Sequence, residues 1–328
     1  EHNLALGASF NHDYLGQTYL GQRMNEKENV VGAYAQYTYN LHEHLVAMAG
    51  VRVDHSSEYG TFVTPRFHVK WQVNDILGLR ASVGKGYRTV HALAENNYLL
   101  ASGRELTIDK LGQENAWNYG VSAALNIPIA KRTLKVNAEY YYTHFGNQAV
   151  IDYDSDPSRI TISNLRGRSY SHTFQVDATY DFFRGMTVTA AYRYNNVKST
   201  YGGQLLRQPL TSKYKGLLTA SYKTPLGLWQ FDATLSLNGG GRMPKAYTTA
   251  DGTPSWESTY PAFAQLNAQI TRWFRKFSVY VGGENLTGYK QKNPIINAAN
   301  PWSSTFDPTM VWGPVEGARA YIGIRYKF

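Results

Sequence analysis

The chain has no cysteine in 328 residues. That removes the disulfide route to stability and excludes thiolate metal sites and thiol catalysis. Long apolar runs are missing too. No stretch approaches the roughly 18 consecutive apolar residues of a membrane-spanning helix, and the mean hydropathy is −0.43. Lys and Arg (33) outnumber Asp and Glu (24) for a net charge of +9, yet no block of like charge occurs. Without a basic stripe, nucleic acid is excluded as a partner. No P-loop, Ser-His-Asp order or paired-carboxylate motif stands out, which argues against an enzyme. Residues 1 to 14 have no basic start leading into an apolar core, so they read as a strand and not as a secretory leader.

What is abundant points one way. The chain carries 26 Tyr, 7 Trp and 29 Gly, a composition that suits interfacial aromatic belts and tight turns. The last ten residues alternate strictly. Ala320, Ile322, Ile324, Tyr326 and Phe328 fall on one parity, and Arg319, Gly323, Arg325 and Lys327 on the other. A strand with one greasy face and one wet face follows from that period of two. About fourteen such segments recur along the chain. Leu4, Leu6, Ala8 and Phe10 oppose Gly7, Ser9 and Asn11, and Phe67, Val69, Trp71 and Val73 oppose His68, Lys70 and Gln72. The expected fold is all-β, an antiparallel transmembrane β-barrel, because hydropathy averages miss a strand that is half wet.

Connections should alternate in length, short in the periplasm and long outside. Short turns are expected near residues 41–44, 74–75, 128–132, 183–185, 225–227 and 274–276. Long loops are expected near 15–28, 56–62, 88–115, 152–161, 198–211, 239–262 and 290–317. The aromatics sort accordingly. Tyr37, Trp71, Phe182, Trp229, Phe231 and Tyr326 fall at short-turn ends, and Trp117, Tyr119, Tyr140, Tyr142, Tyr192 and Tyr194 at long-loop ends. The inward parity carries Arg52, Lys70, Arg80, Lys135, Arg193, Arg319 and Arg325 beside Asp54, Glu139, Asp177, Asp181, Asp232 and Glu284. Such a wall must face water or a polar plug, because charges are rarely buried unpaired.

Several segments resemble one family. Thr64-Pro65-Arg66, the run Leu79 to Arg88, Gly283-Glu284-Asn285-Leu286-Thr287-Gly288, Glu114 to Gly120 and the terminal Phe328 are similar in order and spacing to TonB-dependent outer-membrane receptors. The stretches Ala94 to Ser102 and Met310 to Pro314 look like members from Bacteroidetes. The resemblance implies a Gram-negative outer-membrane receptor that binds a scarce solute, such as a metal chelate, haem, cobalamin or glycan, and imports it with TonB energy. Family members carry an N-terminal plug and a 22-stranded barrel. On that comparison residues 1–328 are the C-terminal barrel portion, with plug and signal peptide outside them. The alternatives are a passive fourteen-stranded channel and an outer-membrane hydrolase or adhesin. The implied partners are the TonB complex, the plug, outer-membrane lipid and lipopolysaccharide, the barrel assembly machinery and the solute itself.

Binding residues concentrate on loops held by a rigid scaffold. The candidate solute site is therefore the loop after Arg88, with His91, Glu95, Asn96, Asn97, Tyr98 and Arg104, joined by Trp256, Trp302 and Trp312 of other long loops. His91 draws interest because haem receptors of the family use a His in this region. No cofactor or metal is assigned. His42-Glu43-His44 sits in an expected turn, and the Asp152, Asp154, Asp156 series has Pro157 where an EF-hand needs Gly. Asn285-Leu286-Thr287 fits a glycosylation acceptor by chance. Tyr326 and Phe328 are the expected barrel-assembly signal. Phe328→Ala should lower the amount of full-length receptor in the outer membrane, and unchanged levels by heat-modifiability on gels would count against it.

Overall fold

The computed structural model describes every residue except Leu20, Glu43, Thr249, Ala250 and Asp251. Its main sheet follows the chain. The strands are β1 (His2–Tyr19), β2 (Gln22–Leu41), β3 (Leu45–Ser56), β4 (Gly60–Gln72), β5 (Leu77–Arg88), β6 (Glu114–Ile129) and β7 (Arg132–Asn147). They continue with β8 (Ser169–Phe183), β9 (Met186–Tyr201), β10 (Tyr214–Lys223), β11 (Trp229–Asn238), β12 (Phe263–Trp273), β13 (Phe277–Glu284) and β14 (Arg319–Tyr326). Each pairs antiparallel with the next, and a short strand, Gln204–Arg207, folds back on β9. Among the described residues no helix is long and apolar enough to cross a membrane, which says nothing of strands.

The period of two decides the faces. Leu4, Leu6 and Phe10 sit opposite Tyr37, Ala35 and Val31 on one side of the sheet. That side is uncovered, with Leu6 69% and Phe10 67% exposed. The outer surface is thus the apolar one, as a barrel in lipid requires. Exposed Phe182, Trp229, Phe231 and Tyr326 mark the short-turn end, and exposed Tyr119, Tyr140, Tyr192 and Tyr194 the other, giving the two girdles that the alternation predicts. The inner face carries a polar row, Lys70, Arg80, Ser122, Glu139, Gln175, Arg193 and Lys215, running across seven strands in register.

Pairing within that wall is partial. Arg52 pairs with Asp54 at 2.6 Å, and Tyr87 donates its hydroxyl to the same carboxylate at 3.1 Å. Asp54 is fully buried, and it fits because Gly32 has no Cβ to overlap its Oδ1. Asp232 accepts from Ser221 and Gln230, and Arg319 reaches Glu284 at 2.6 Å. The wall is therefore both a ladder of structural bonds and a hydrated surface.

Two expected loops are strands instead. Residues 15–19 and 22–28 belong to β1 and β2, which stay paired out to Tyr19 and Gln22, and residues 57–59 alone link β3 to β4. Beyond Asn11 and Val30 the ladder to β3 ends and the first hairpin continues as a two-stranded ribbon, tied at its base by Asn29 to Ser57 and by Glu28 to Ser56. Its backbone hydrogen bonds close between its own strands. It needs no apolar face, and its polar sequence consequently reads as loop. Of the His42-Glu43-His44 motif, Glu43 lies outside the described residues.

The apolar core lies in the long loops. Leu99, Ile160, Ile162 and Met310 are almost fully buried, and Val90, Tyr153, Met243 and Tyr260 pack with them. The loop after β5 contributes a short helix, Ala92–Glu95, a 3-10 turn, Asn97–Ala101, and the strand Glu105–Ile108. That strand lies parallel to Arg159–Asn164, which is antiparallel to Ala149–Asp152. Arg104 pins this cap to the last loop through a 2.5 Å pair with Asp307, whose other oxygen accepts from the Thr309 backbone and hydroxyl. Both side chains of the pair are almost wholly buried, 3% and 2% exposed. Removing one member of a buried pair leaves a charge uncompensated and costs about 3–5 kcal/mol. Asp307→Ala should therefore lower hydrogen-exchange protection across residues 296–312 while leaving β6–β9 protected. Equal protection in the two proteins would show the pair to be dispensable.

Candidate functional site

Two clefts open in the loop cap, and Trp256 is the wall between them. The larger, about 830 Å³, is lined by Asp154, Tyr201, Gln204, Arg242, Lys245 and Trp256. Asp154 receives both terminal nitrogens of Arg242 at 2.8 Å each, plus the Lys245 backbone N–H at 2.8 Å. Arg242 in turn lies over the Tyr201 ring, 5.5 Å from its centroid. Burial pushes the Tyr201 phenol up to about 12, so it stays a neutral donor. The second cleft, about 500 Å³, is lined by Trp256, Glu257, Tyr260, Tyr289, Lys290, Lys292 and Trp312. Its aromatic walls are fixed. Trp312 stacks on Tyr260 at 5.1 Å and 14°, and Trp256 Nε1–H donates to Pro244 O at 2.8 Å.

Gln291 holds the Lys290 and Lys292 backbone in place. Its Oε1 accepts from the N–H groups of Trp312 and Gly313, and its Nε2 donates to Met310 O. Among the described residues neither lysine has a carboxylate partner. Flat aromatic walls with two ammonium groups against the single carboxylate of Glu257 suit an anionic solute with ring character. The segment Gly283 to Gly288 is the hinge into this loop. Asn285 takes φ 49°, is buried, and donates to Tyr289 O and Glu316 O, so its side chain is committed to the turn.

The loop after Arg88 folds back on the barrel mouth. Arg88 bridges Glu95 at 2.7 Å and Glu114 at 2.8 Å, tying the short helix to β6. His91 reaches across to the ribbon, with Nδ1 2.6 Å from Glu26 on β2 and Nε2 3.5 Å from Asp13 on β1. A cavity of about 400 Å³ lies beneath this contact, between Leu15, Glu26, Glu28, Val90, His91 and Leu111.

A model of the TonB dependent receptor-like β-barrel family matches residues 1–286. The chain belongs to that family. It is similar in fold to the FrpB iron transporter from Neisseria meningitidis at 13% identity and TM-score 0.70, over all of this chain and 53% of that one. The ferric enterobactin receptor PfeA from Pseudomonas aeruginosa gives 14% identity and TM-score 0.70, over 100% and 51%. The siderophore receptor PirA from Acinetobacter baumannii gives 14% and 0.70, over 100% and 52%. Identities this low carry the fold alone. The chain spans about half the length of these receptors. A sequence comparison with curated proteins finds no match. TonB-dependent receptor barrels sit in the Gram-negative outer membrane, and the apolar outer face of β1–β14 is the surface that hydrocarbon covers.

Within this receptor barrel the sequence-predicted site residues divide. Trp256 and Trp312 line the clefts. Trp302 stands 97% exposed, away from both. Arg88, His91 and Glu95 form the latch to the ribbon and β6, Asn96 donates to Ala92 O at 2.9 Å, and Asn97 opens the 3-10 turn. Tyr98 is exposed, with its hydroxyl 3.3 Å from that of Tyr153. Arg104 offers nothing to a solute, since it is sealed against Asp307. The Asp152 series also disperses. Asp154 pairs with Arg242, while Asp152 and Asp156 accept from Ser155 and Ser158. Sequence reasoning missed Arg242, Lys245, Tyr260, Tyr289, Lys290 and Lys292, although Tyr289-Lys290-Gln291-Lys292 already combined ring and charge. Tyr326 and Phe328 are exposed at the short-turn end.

The latch is sensitive to pH. Its hydrogen bond to Glu26 holds the His91 imidazole above its ordinary value against partial burial, and the charges of Glu26, Asp13 and Glu95 add to the effect. A raised value means that the contact is at full strength below the ordinary histidine pKa and is lost as pH rises through the raised one. Between about pH 6 and pH 9, hydrogen exchange of residues 89–96, corrected for intrinsic rates, should therefore speed up. His91→Gln should flatten that dependence. A variant as pH-sensitive as wild type would remove His91 as its source.

Proposed function

We propose that the chain is the C-terminal barrel portion of an outer-membrane receptor that binds a scarce solute in the twin cleft and imports it with TonB energy. A plug and a TonB-contacting segment would lie in the half of the receptor outside these residues, where the solved receptors are longer. The observation that carries the reading is the pairing of a preformed aromatic and cationic cleft at the loop end with a wet, mixed-charge inner wall below it. A cleft alone would suit an adhesin, and a wet wall alone a passive channel. The solved receptors of similar fold are named for iron, ferric enterobactin and siderophores, and a further one for copper. We therefore take the solute to be an anionic metal chelate. Lys290 and Lys292 supply countercharge, and Trp256, Tyr260 and Trp312 supply ring faces. The reading is transport and not enzymology. Folding into the membrane would depend on the barrel assembly machinery, and the outer rim would meet lipopolysaccharide.

Cells making the full-length protein, with their own chelate receptors deleted, should accumulate iron or copper from an anionic chelate only when TonB is present. Trp256→Ala with Lys292→Ala should weaken chelate binding at least roughly tenfold, about 1.4 kcal/mol, without changing membrane abundance. Equal accumulation with and without TonB would overturn the active-transport reading in favour of the passive channel.

A further inference from the structure

Trp302 is an aromatic candidate that neither cleft takes up. It sits at the crown of a lobe, residues 297–306, whose base is closed by the paired backbones of Ile296 and Asp307 at 2.9 and 3.1 Å. The lobe is firmly built. Three successive turns hold it, with the N–H groups of Asn300, Ser303 and Phe306 donating to the carbonyls three residues earlier, and Asn297 Nδ2 crosses to Thr305 Oγ1 at 2.8 Å. It is also tied to the cap. The Gly103 N–H donates to Phe306 O at 2.7 Å and the Tyr247 hydroxyl to Thr305 O at 3.2 Å. Gly103 is required at that contact, because a Cβ would overlap the Ser303 carbonyl oxygen. Trp302 itself is 97% exposed and has no ring or cation partner among the described residues. A rigid loop thus holds a bare indole in water.

The chemistry around the ring limits what can cover it. Residues 293–306 contain no Asp, Glu, Lys, Arg or His, and the Arg104–Asp307 pair below them is sealed from water. An ionic partner therefore finds no countercharge. What the crown offers is neutral. The Asn300 amide and the Ser304 hydroxyl, two residues to either side of Trp302, are exposed and have no hydrogen-bond partner among the described residues. A protein partner needs more than this. Specific interfaces bury about 800 Å² a side around several anchors, whereas the only other exposed large apolar side chain in residues 293–306 is Ile295, at 41%. One flat ring flanked by an amide and a hydroxyl matches a pyranose instead. The C–H bonds on one side of a sugar ring present a slightly positive, apolar face to the negative face of the indole, and its hydroxyls reach the polar groups alongside. Because the lobe is already fixed, little order is lost on binding.

We infer that the crown of this lobe is a docking site for a neutral sugar, stacked on Trp302 and bonded by Asn300 and Ser304, outside the clefts and independent of the solute they take up. The assignment rests on the lobe alone, so a failure of the transport reading would leave it standing. The test uses the full-length protein in a sugar-free detergent, titrated with maltoheptaose, cellohexaose and mannotetraose and read by saturation-transfer NMR. Trigalacturonic acid is the charged comparison. At least one neutral probe should bind, and the acid should not. Trp302→Ala should weaken that binding at least roughly tenfold, and Trp302→Phe, which keeps a ring, by less. Lys292→Ala, in the second cleft, should leave sugar binding unchanged, with heat-modifiability on gels confirming that each variant is folded. No binding of any neutral probe would overturn the assignment, as would wild-type affinity in Trp302→Ala or equal binding of trigalacturonic acid. A dimer in sedimentation that is lost in Trp302→Ala, with no sugar bound, would overturn it in favour of a contact between two copies.

Discussion

In the hydrocarbon of a membrane there is no water to bond an unpaired N–H or C=O, and each such group left open costs several kcal/mol. That constraint organises the chain. It requires a spanning segment to find partners in neighbouring strands, and the unbroken antiparallel order from β1 to β14 supplies them on both sides of β2–β13 and on one side of β1 and β14 among the described residues. Once the ladder exists, the pleat divides side chains between lipid and lumen, and the usual hydrophobic arrangement turns inside out. Leu6 and Phe10 are exposed because lipid covers them, while Asp54 is buried in the wall, where Arg52 and Tyr87 can satisfy it.

A sheet built this way has no interior of its own, so the ordinary hydrophobic effect acts elsewhere. It acts where the chain leaves the membrane and meets water. The long loops bury Leu99, Ile160, Ile162 and Met310 against one another and so form a small water-side domain carried on the barrel rim. Loops stay mobile unless tied by burial and hydrogen bonds. Here the ties are the three-stranded sheet, the Arg104–Asp307 pair and the Gln291 amide, each linking segments far apart in the chain. The clefts inherit their rigidity from that core, since Trp256, Tyr260 and Trp312 pack against it.

What could be read from the sequence follows the same division. Strands in lipid advertise themselves, because an environment that alternates every residue forces a period of two onto the sequence. Leu4 to Phe10 and Ala320 to Phe328 are examples. The ribbon at residues 11–19 and 22–29 stayed hidden because the face it turns to the cap is carried largely by polar residues such as Gln17, Glu26 and Glu28, which leave no apolar period. Arg104 looked available because a charged residue in a loop has no local mark of burial, and its partner lies 203 residues away. Trp256 and Trp312 stood out by type, whereas Lys290 and Lys292 gain their meaning only from the Gln291 bonds that set their backbone beside Trp312.

The loop end therefore has two mechanical parts. One is the cap, cross-linked by a core, a small sheet and a buried ion pair. The other is the ribbon of β1 and β2, whose strand ladder beyond Val30 is with itself alone. The ribbon meets the cap through His91 on Glu26 and the Thr89 hydroxyl on Glu28, over a cavity whose lining includes Leu15 and Leu111. Local opening follows the path that breaks the fewest buried contacts. Parting the ribbon from the cap breaks the His91 bonds and the Thr89–Glu28 bond and opens a cavity that is already there, whereas parting the cap itself would expose Leu99, Ile160 and a buried arginine. Movement at the barrel mouth is thus directed to the ribbon, and the clefts keep their shape while it occurs.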